Sequence, residues 1–227
     1  MKLLALDTST ELCSAALWLD GAVSSREAIR ERGHSELILP MIDQLLREAA
    51  VDLRQLDAIA FGRGPGAFTG VRLAAGVAQG LGFAAGLPLL PVSDLRALAA
   101  QALLLPGASS RALICQDARM EECYWGCFER VAGAVYAVTA EAVAAPSELA
   151  LPADWAGHCL CGAGSGFAAY RDRLEPLIAQ LSALFSDFRP RAREVALLAA
   201  QDGLASAVPA EQAQPVYLRD EVARTPA

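Results

Sequence analysis

The chain has 227 residues and a formal net charge of −7, with 54% apolar and 20% charged side chains. That composition supplies one large core or two of about 100 residues each, and it excludes wholesale disorder. An acidic chain without a long run of Lys or Arg is a poor partner for a nucleic acid on its own.

Leu3 to Asp7 reads as a buried strand, too short and too quickly broken by an acid to be a signal segment. The polar turn Thr8-Ser9-Thr10-Glu11 follows, then a strand over Ser14 to Leu19. Asp20-Gly21 is a hairpin turn, because both residues tolerate positive φ, and it leads into a third strand over Ala22 to Ile29. Gly33 to Ala50 has helical periodicity: Leu37, Met41, Leu45 and Ala49 recur every four residues, with Ile38, Ile42 and Leu46 beside them. Pro40 lacks an N–H, so the helix starts near it or kinks there.

Ala58 to Phe61 is a short apolar strand, and the loop Gly62-Arg63-Gly64-Pro65-Gly66 leads to a helix over Gly70 to Ala85 with Thr69 as its N-cap. Gly76 and Gly80 share one face of that helix, Leu73 and Val77 flank them, and Gly82 adds a third glycine. Each interior glycine costs a helix about 1 kcal/mol relative to alanine. The pattern therefore asks for close approach of another backbone, either inside the chain or across a subunit boundary. Leu87 to Val92 is the next strand, and Ser93-Asp94 caps a helix reaching about Leu105. The most apolar window, Val71 to Leu90, contains Arg72, Pro88 and several glycines, so no membrane span is expected and a cytoplasmic protein is.

A break at Pro106 to Ser110 is followed by a restart of the pattern. Leu113 to Asp117 is again a strand ending in Asp, and a shift of 110 residues lays Asp117 on Asp7, Glu121 on Glu11 and Cys123 on Cys13. Gly133 turns a hairpin into Val135 to Thr139, a helix is expected from Ser147, and a strand over His158 to Cys161 runs into Gly162-Ala163-Gly164-Ser165-Gly166. The order of elements predicts an α/β duplication, with lobes over 1–105 and 106–227, a cleft between them, and a last segment that packs back on the first lobe.

Three loops are candidates for chemistry. Asp7, Thr8 and Ser9 either wrap phosphates with hydroxyls and N–H groups or form a polar turn that satisfies its own backbone. Gly64 and Gly66 lie in a glycine-rich loop opening a helix, which either attracts an anion or serves as a tight turn; the Lys-Ser/Thr pair of a Walker loop is missing. The Gly162 to Gly166 loop either approaches an adenosine or phosphate or is a glycine-rich turn, and the turn is the favoured reading. His34 and His158 are the sole histidines, the six cysteines match no zinc spacing and read as buried thiols, and no nucleophile elbow occurs, so no metal and no catalytic residue is expected.

Leu4-Ala5-Leu6-Asp7-Thr8-Ser9-Thr10, His34-Ser35-Glu36, Leu39-Pro40-Met41-Ile42, Asp117-Ala118-Arg119-Met120, Cys123-Tyr124-Trp125 and Pro215-Val216-Tyr217-Leu218-Arg219 all carry one resemblance. Its most specific stretch is Gly62-Arg63-Gly64-Pro65-Gly66-Ala67-Phe68-Thr69-Gly70-Val71-Arg72. In these the chain resembles the bacterial TsaB family, also called YeaZ. The resemblance implies a duplicated actin-like, Hsp70-like ATPase fold and a part in making N6-threonylcarbamoyladenosine in tRNA. It implies pairing with the transferase TsaD and recruitment of TsaE, homodimers when alone, tRNA met only through the complex, and no required cofactor, with ATP or ADP at the shared interface. The His-x-x-x-His metal site of TsaD is replaced here by Ser93-Asp94-Leu95-Arg96-Ala97-Leu98, so a subunit without catalysis is implied. The family's pairing helices place Leu37, Ile38, Met41, Ile42, Leu45, Arg72, Leu73, Gly76, Val77 and Gly80 at the partner interface. The rival expectations are an active ATPase or small-molecule kinase of the same fold and, more distantly, a peptidase.

Overall fold

The computed structural model of the chain describes residues 1–219; 220–227, the end of the expected second lobe, lies outside the described residues. The first sheet contains β1 (Lys2–Asp7), β2 (Leu12–Leu19), β3 (Ala22–Ile29), β4 (Ala58–Gly62) and β5 (Leu89–Val92), in the order β3-β2-β1-β4-β5. The hairpin strands β1, β2 and β3 pair antiparallel, while β1–β4 and β4–β5 are parallel. The parallel crossovers carry α1 (His34–Glu48) and α2 (Phe68–Ala85), and α3 (Asp94–Leu103) follows β5.

The second sheet repeats this plan. β6 (Arg111–Asp117), β7 (Cys123–Val131) and β8 (Ala134–Ala137) form the antiparallel start. After β9 (Ala142–Ala144), which pairs with β7, β10 (Cys161–Ala163) and β11 (Ala183–Phe185) extend the sheet in parallel, giving the order β11-β10-β6-β7-β8. α4 (Gly166–Ala169) and α5 (Arg171–Ile178) lie between β10 and β11, and α6 (Ala192–Asp202) follows. The architecture is thus a duplicated, two-lobed α/β fold of the actin-like kind.

Alternation along β1 sorts the core into layers. Leu3 and Ala5 face the central layer, together with Ala16, Ala58 and Ala60; Leu4 and Leu6 face α1 and α2 with Leu17, Ile59 and Phe61. The central layer is α3 and α6. Small residues on the sheet let Ala192, Ala196 and Ala199 of α6 approach it closely. α3 is buried on almost every side, as a helix apolar all round must be. It packs on β6, β7, β8 and β10 of the second sheet, while α6 crosses back onto β1, β2 and β4 of the first. Arg96 ties this layer together: its fork meets Asp202 at 2.6 and 2.8 Å, and its Nε donates to the Val135 carbonyl at 2.8 Å.

Several expectations need correction. Thr69 is not the N-cap of α2; the helix starts at Phe68, Ala67 precedes it, and Thr69 lies exposed in the first turn. No α-helix begins at Ser147: Pro146–Glu148 is a single 3-10 turn, and Pro152 soon limits the room for anything longer. The 110-residue offset slips within the hairpin. Asp7 lies opposite Ser14 whereas Asp117 lies opposite Cys123, so the second turn is one residue shorter and Cys123 takes the place of Ser14. Helix α1 starts six residues before Pro40 and runs through it. Five cysteines are buried free thiols, but Cys159 is exposed.

Candidate functional site

The lobes enclose a cleft of about 1130 Å³, bounded by Ser9 and Thr10, Pro65 to Phe68, Asp117 to Arg119, Ser165, and the segment 216–219. The end of β6 brings Asp117 to its wall, while Asp7 at the end of β1 lies buried behind Ser9.

On the first-lobe side the turn after β1 is filled from within. Asp7, Thr8 and Ser9 are almost wholly buried. Ser9 donates through both its N–H and its Oγ to Asp7 Oδ1 at 3.0 Å, and Thr8 Oγ1 donates to the Gly70 carbonyl at 2.7 Å. The Ser9 carbonyl accepts from the Ala67 N–H at 2.7 Å, and His34 Nε2 donates to the Thr10 carbonyl at 3.0 Å. Each hydroxyl of this turn therefore has a partner inside the protein. Gly64 is buried with φ of 101°, a left-handed value that glycine takes without penalty. Gly66 is half-buried, and a Cβ there would lie 2.7 Å from Ser9 Cβ. At Gly70 a Cβ would lie 2.0 Å from the Thr8 carbonyl oxygen. The 62–70 segment therefore packs directly against this turn, backbone against backbone.

On the second-lobe side Asp117 is engaged as well. Its Oδ1 accepts from the Arg119 N–H and from the Tyr170 hydroxyl, both at 2.8 Å, and Arg119 Nη1 lies 3.3 Å from Oδ2. Burial, then the bond to Asp117, pushes the Tyr170 phenol up to about 12. Arg119, Met120 and Glu121 have φ of 62°, 55° and 61°. Three successive left-handed residues without a glycine cost roughly 1–2 kcal/mol each. No spacing or propensity in the sequence signals this geometry.

Beneath the cleft lies a pair that sequence reasoning missed. Asp94 was read as part of a helix cap; the cap is Ser93, whose Oγ accepts from the Arg96 N–H at 3.1 Å. Asp94 is fully buried, and its Oδ2 accepts from the Gly64 N–H at 2.5 Å. Its Oδ1 and Asp7 Oδ2 have no other partner and converge over Gly62, where a Cβ would lie 2.0 Å from one and 2.3 Å from the other. Burial, the charge of Asp7 and a hydrogen bond to it raise Asp94 well above the usual carboxylate range. A proton on Asp94 bridging to Asp7 satisfies both oxygens.

The expected interface residues divide into two groups. Ile38, Ile42 and Leu45 are buried core under α1, which packs on β2, so they are removed from the surface stripe; Leu37 and Met41 are half-buried at its edge. On α2 Arg72, Gly76 and Gly80 are exposed, and Leu73 and Val77 are half-buried beside them. Nothing lies within 4 Å of a Cβ placed on Gly76 or Gly80, whereas one on Gly82 would meet Leu89 at 2.8 Å. Gly82 thus serves packing within the chain, and the other two glycines face outward with Phe83, which is 86% exposed. Among the described residues no group of three or more His, Cys, Asp and Glu side chains clusters as a metal site. No helix among them is long and apolar enough to cross a membrane.

Fold and cleft define a protein of the duplicated, actin-like α/β class whose first-lobe turn after β1 is packed against the 62–70 segment. A family model described as TsaD, tRNA N6-adenosine threonylcarbamoyltransferase, matches residues 27–227. The tRNA threonylcarbamoyladenosine biosynthesis protein TsaB of Escherichia coli K12 is 38% identical over 98% of this chain and 96% of its own. The chain belongs to the TsaB (YeaZ) family. TsaB of Haemophilus influenzae is 50% identical over 55% of this chain and 52% of its own. The solved YeaZ of Pseudomonas aeruginosa is 44% identical with a TM-score of 0.86, covering 96% of this chain and 99% of that one.

Proposed function

We propose that the chain serves tRNA threonylcarbamoyladenosine synthesis as a subunit without catalysis of its own, which pairs with a TsaD-type transferase and helps recruit a TsaE-type ATPase. One observation carries this reading: the outward glycine face of α2. Gly76 and Gly80 weaken an 18-residue helix and gain no contact within the chain. Bare backbone on an exposed helix suits close docking of a second helix, with Leu73, Val77, Leu37 and Met41 as the apolar border. The family membership and the match to the transferase family model support the choice of partner. A homodimer through the same face is the expected form when the partner is missing, and ATP or ADP is expected at the interface of the paired complex. With a net charge of −7 the chain is expected to meet tRNA through the complex.

Gly76→Leu tests the pairing. The variant is expected to fold with unchanged or higher stability, since leucine is the better helix former. In size-exclusion chromatography with the TsaD-type partner it is expected to elute alone. Unimpaired co-elution would refute the docking face.

The rival ATPase or kinase reading requires an Asp free to orient metal and water. Asp117 is held by Arg119 and Tyr170, which weighs against it. Calorimetry of the isolated chain with Mg-ATP is expected to show no turnover; micromolar binding with turnover would restore the rival.

A further inference from the structure

We infer that residues 215–219 form a strap that latches the two lobes together by holding the 118–122 turn of the second lobe. The strap is fixed to the first lobe at two places. The Val216 N–H donates to the Arg63 carbonyl at 2.7 Å, and the chain passes so close that the Val216 carbonyl oxygen would lie 2.9 Å from a Cβ on Gly64. The Tyr217 ring lies 6.3 Å from the Phe68 ring, and the Arg72 guanidinium covers both, 3.1 Å from Phe68 and 4.7 Å from Tyr217. These are cation–π distances, and the stack anchors the strap at the start of α2.

Two residues later the strap has crossed to the other lobe. Arg219 Nη2 donates to the Ala118 carbonyl at 3.2 Å and the Arg119 carbonyl at 3.4 Å. Its Nε donates to Glu122 Oε2 at 3.0 Å, and Nη2 reaches the same oxygen. The Met120 sulfur lies 3.6 Å from Nη1. Arg219 thus grips the backbone of the segment that holds three left-handed residues in a row. A planar guanidinium can meet two carbonyls and a carboxylate from one position, which an ammonium cannot. The left-handed turn persists because an outside group satisfies the carbonyls it presents, and the turn in turn gives the strap its second-lobe anchor. The strap also forms part of the cleft wall through Val216, Tyr217, Leu218 and Arg219, so the latch and the width of the cleft are one mechanical unit.

The test uses the full chain and its Arg219→Ala and Arg219→Lys variants, read by amide hydrogen exchange and small-angle scattering. In Arg219→Ala the amides of Ala118 and Glu122, which close the turn through bonds of 2.9 and 3.1 Å, are expected to exchange at least about tenfold faster. Amides of β1 and β2 are expected to keep their rates, and the radius of gyration is expected to increase. Arg219→Lys, with the charge but without the fork, should recover only part of the protection. Met120→Gly added to Arg219→Ala is expected to restore some of it as well, because glycine tolerates the left-handed backbone unaided. Exchange at Ala118 and Glu122 within twofold of the parent overturns the inference. Faster exchange with an unchanged radius of gyration overturns the latching of the lobes.

Discussion

Gly70→Ala is expected to destabilise the protein by roughly 3 kcal/mol or more, at the upper end of what overpacking does to a core. The new Cβ would stand 2.0 Å from the Thr8 carbonyl oxygen and 3.0 Å from its carbon, so the obstacle is backbone, not the end of a pliable side chain. That backbone cannot easily retreat. Thr8 Oγ1 is bonded to the Gly70 carbonyl, the Ser9 carbonyl to the Ala67 N–H, and β1 is paired on both sides. The measurement is the urea midpoint with an unchanged m-value. Gly76→Ala and Gly80→Ala make the control, because nothing lies within 4 Å of their added methyl groups. Each is expected to stabilise by about 0.5–1 kcal/mol through helix propensity alone. Three Gly→Ala changes in one helix therefore divide by sign. Equal effects at 70 and 76 would remove the claim that the 62–70 segment packs directly against the turn after β1.

The contrast among these glycines also shows how far the sequence speaks. Spacing put Gly76, Gly80 and Gly82 in one helix and raised the question of what approaches them. It had no means of saying which side of the helix meets the sheet. Coordinates divide them: Leu89 occupies the space beside Gly82, and the space beside the other two is open. The stripe on α1 has the same ambiguity. A four-residue period marks an apolar side, but the side is broad enough for Ile38, Ile42 and Leu45 to enter the core while Leu37 and Met41 stay at its rim. Pattern fixes the phase of a helix to within about one residue, and that residue decides between core and interface.

The repeat was legible because duplicated strands keep their order even where identities fade. Asp7 and Asp117 both end the first strand of a sheet. The exchange of helices was not legible. α3 follows the first sheet in the chain but packs on the second, and α6 follows the second sheet but packs on the first. Both are alanine-rich and apolar on most sides, so local pattern announces burial without naming the sheet that buries them. The strap shares this limit. Arg219 is about 100 positions from the carbonyls it holds, and no periodicity spans that gap.

Asp94 was hidden for a different reason. Ser93-Asp94 after a strand looks like a helix start, and it is one, so the pattern was satisfied before the carboxylate's second contact came into view. Asp94→Asn is expected to change the pH dependence of stability. In the folded chain Asp94 lies well above the ordinary carboxylate range, because it is buried beside Asp7 and bonded to it. The folded state thus holds a proton that an unfolded Asp, with its ordinary value near 3.9, has released. Stabilisation from this proton is complete below the unfolded value and is lost as pH rises through the folded one. Within that window the wild-type unfolding free energy should decline by up to about 1.4 kcal/mol per pH unit from this group alone. Asn has no proton to lose; its carbonyl can accept from the Gly64 N–H and its NH₂ can donate to Asp7 Oδ2. The variant should therefore lack this part of the slope and match or exceed wild-type stability at neutral pH. Urea titrations at several pH values above 4 measure the two slopes. Parallel curves for Asp94→Asn and wild type would show that no proton is held between Asp94 and Asp7. A second readout is independent of folding: the infrared carbonyl stretch of a neutral carboxylic acid should persist in the folded wild type above the pH at which ordinary carboxylates have ionised, and vanish in the variant.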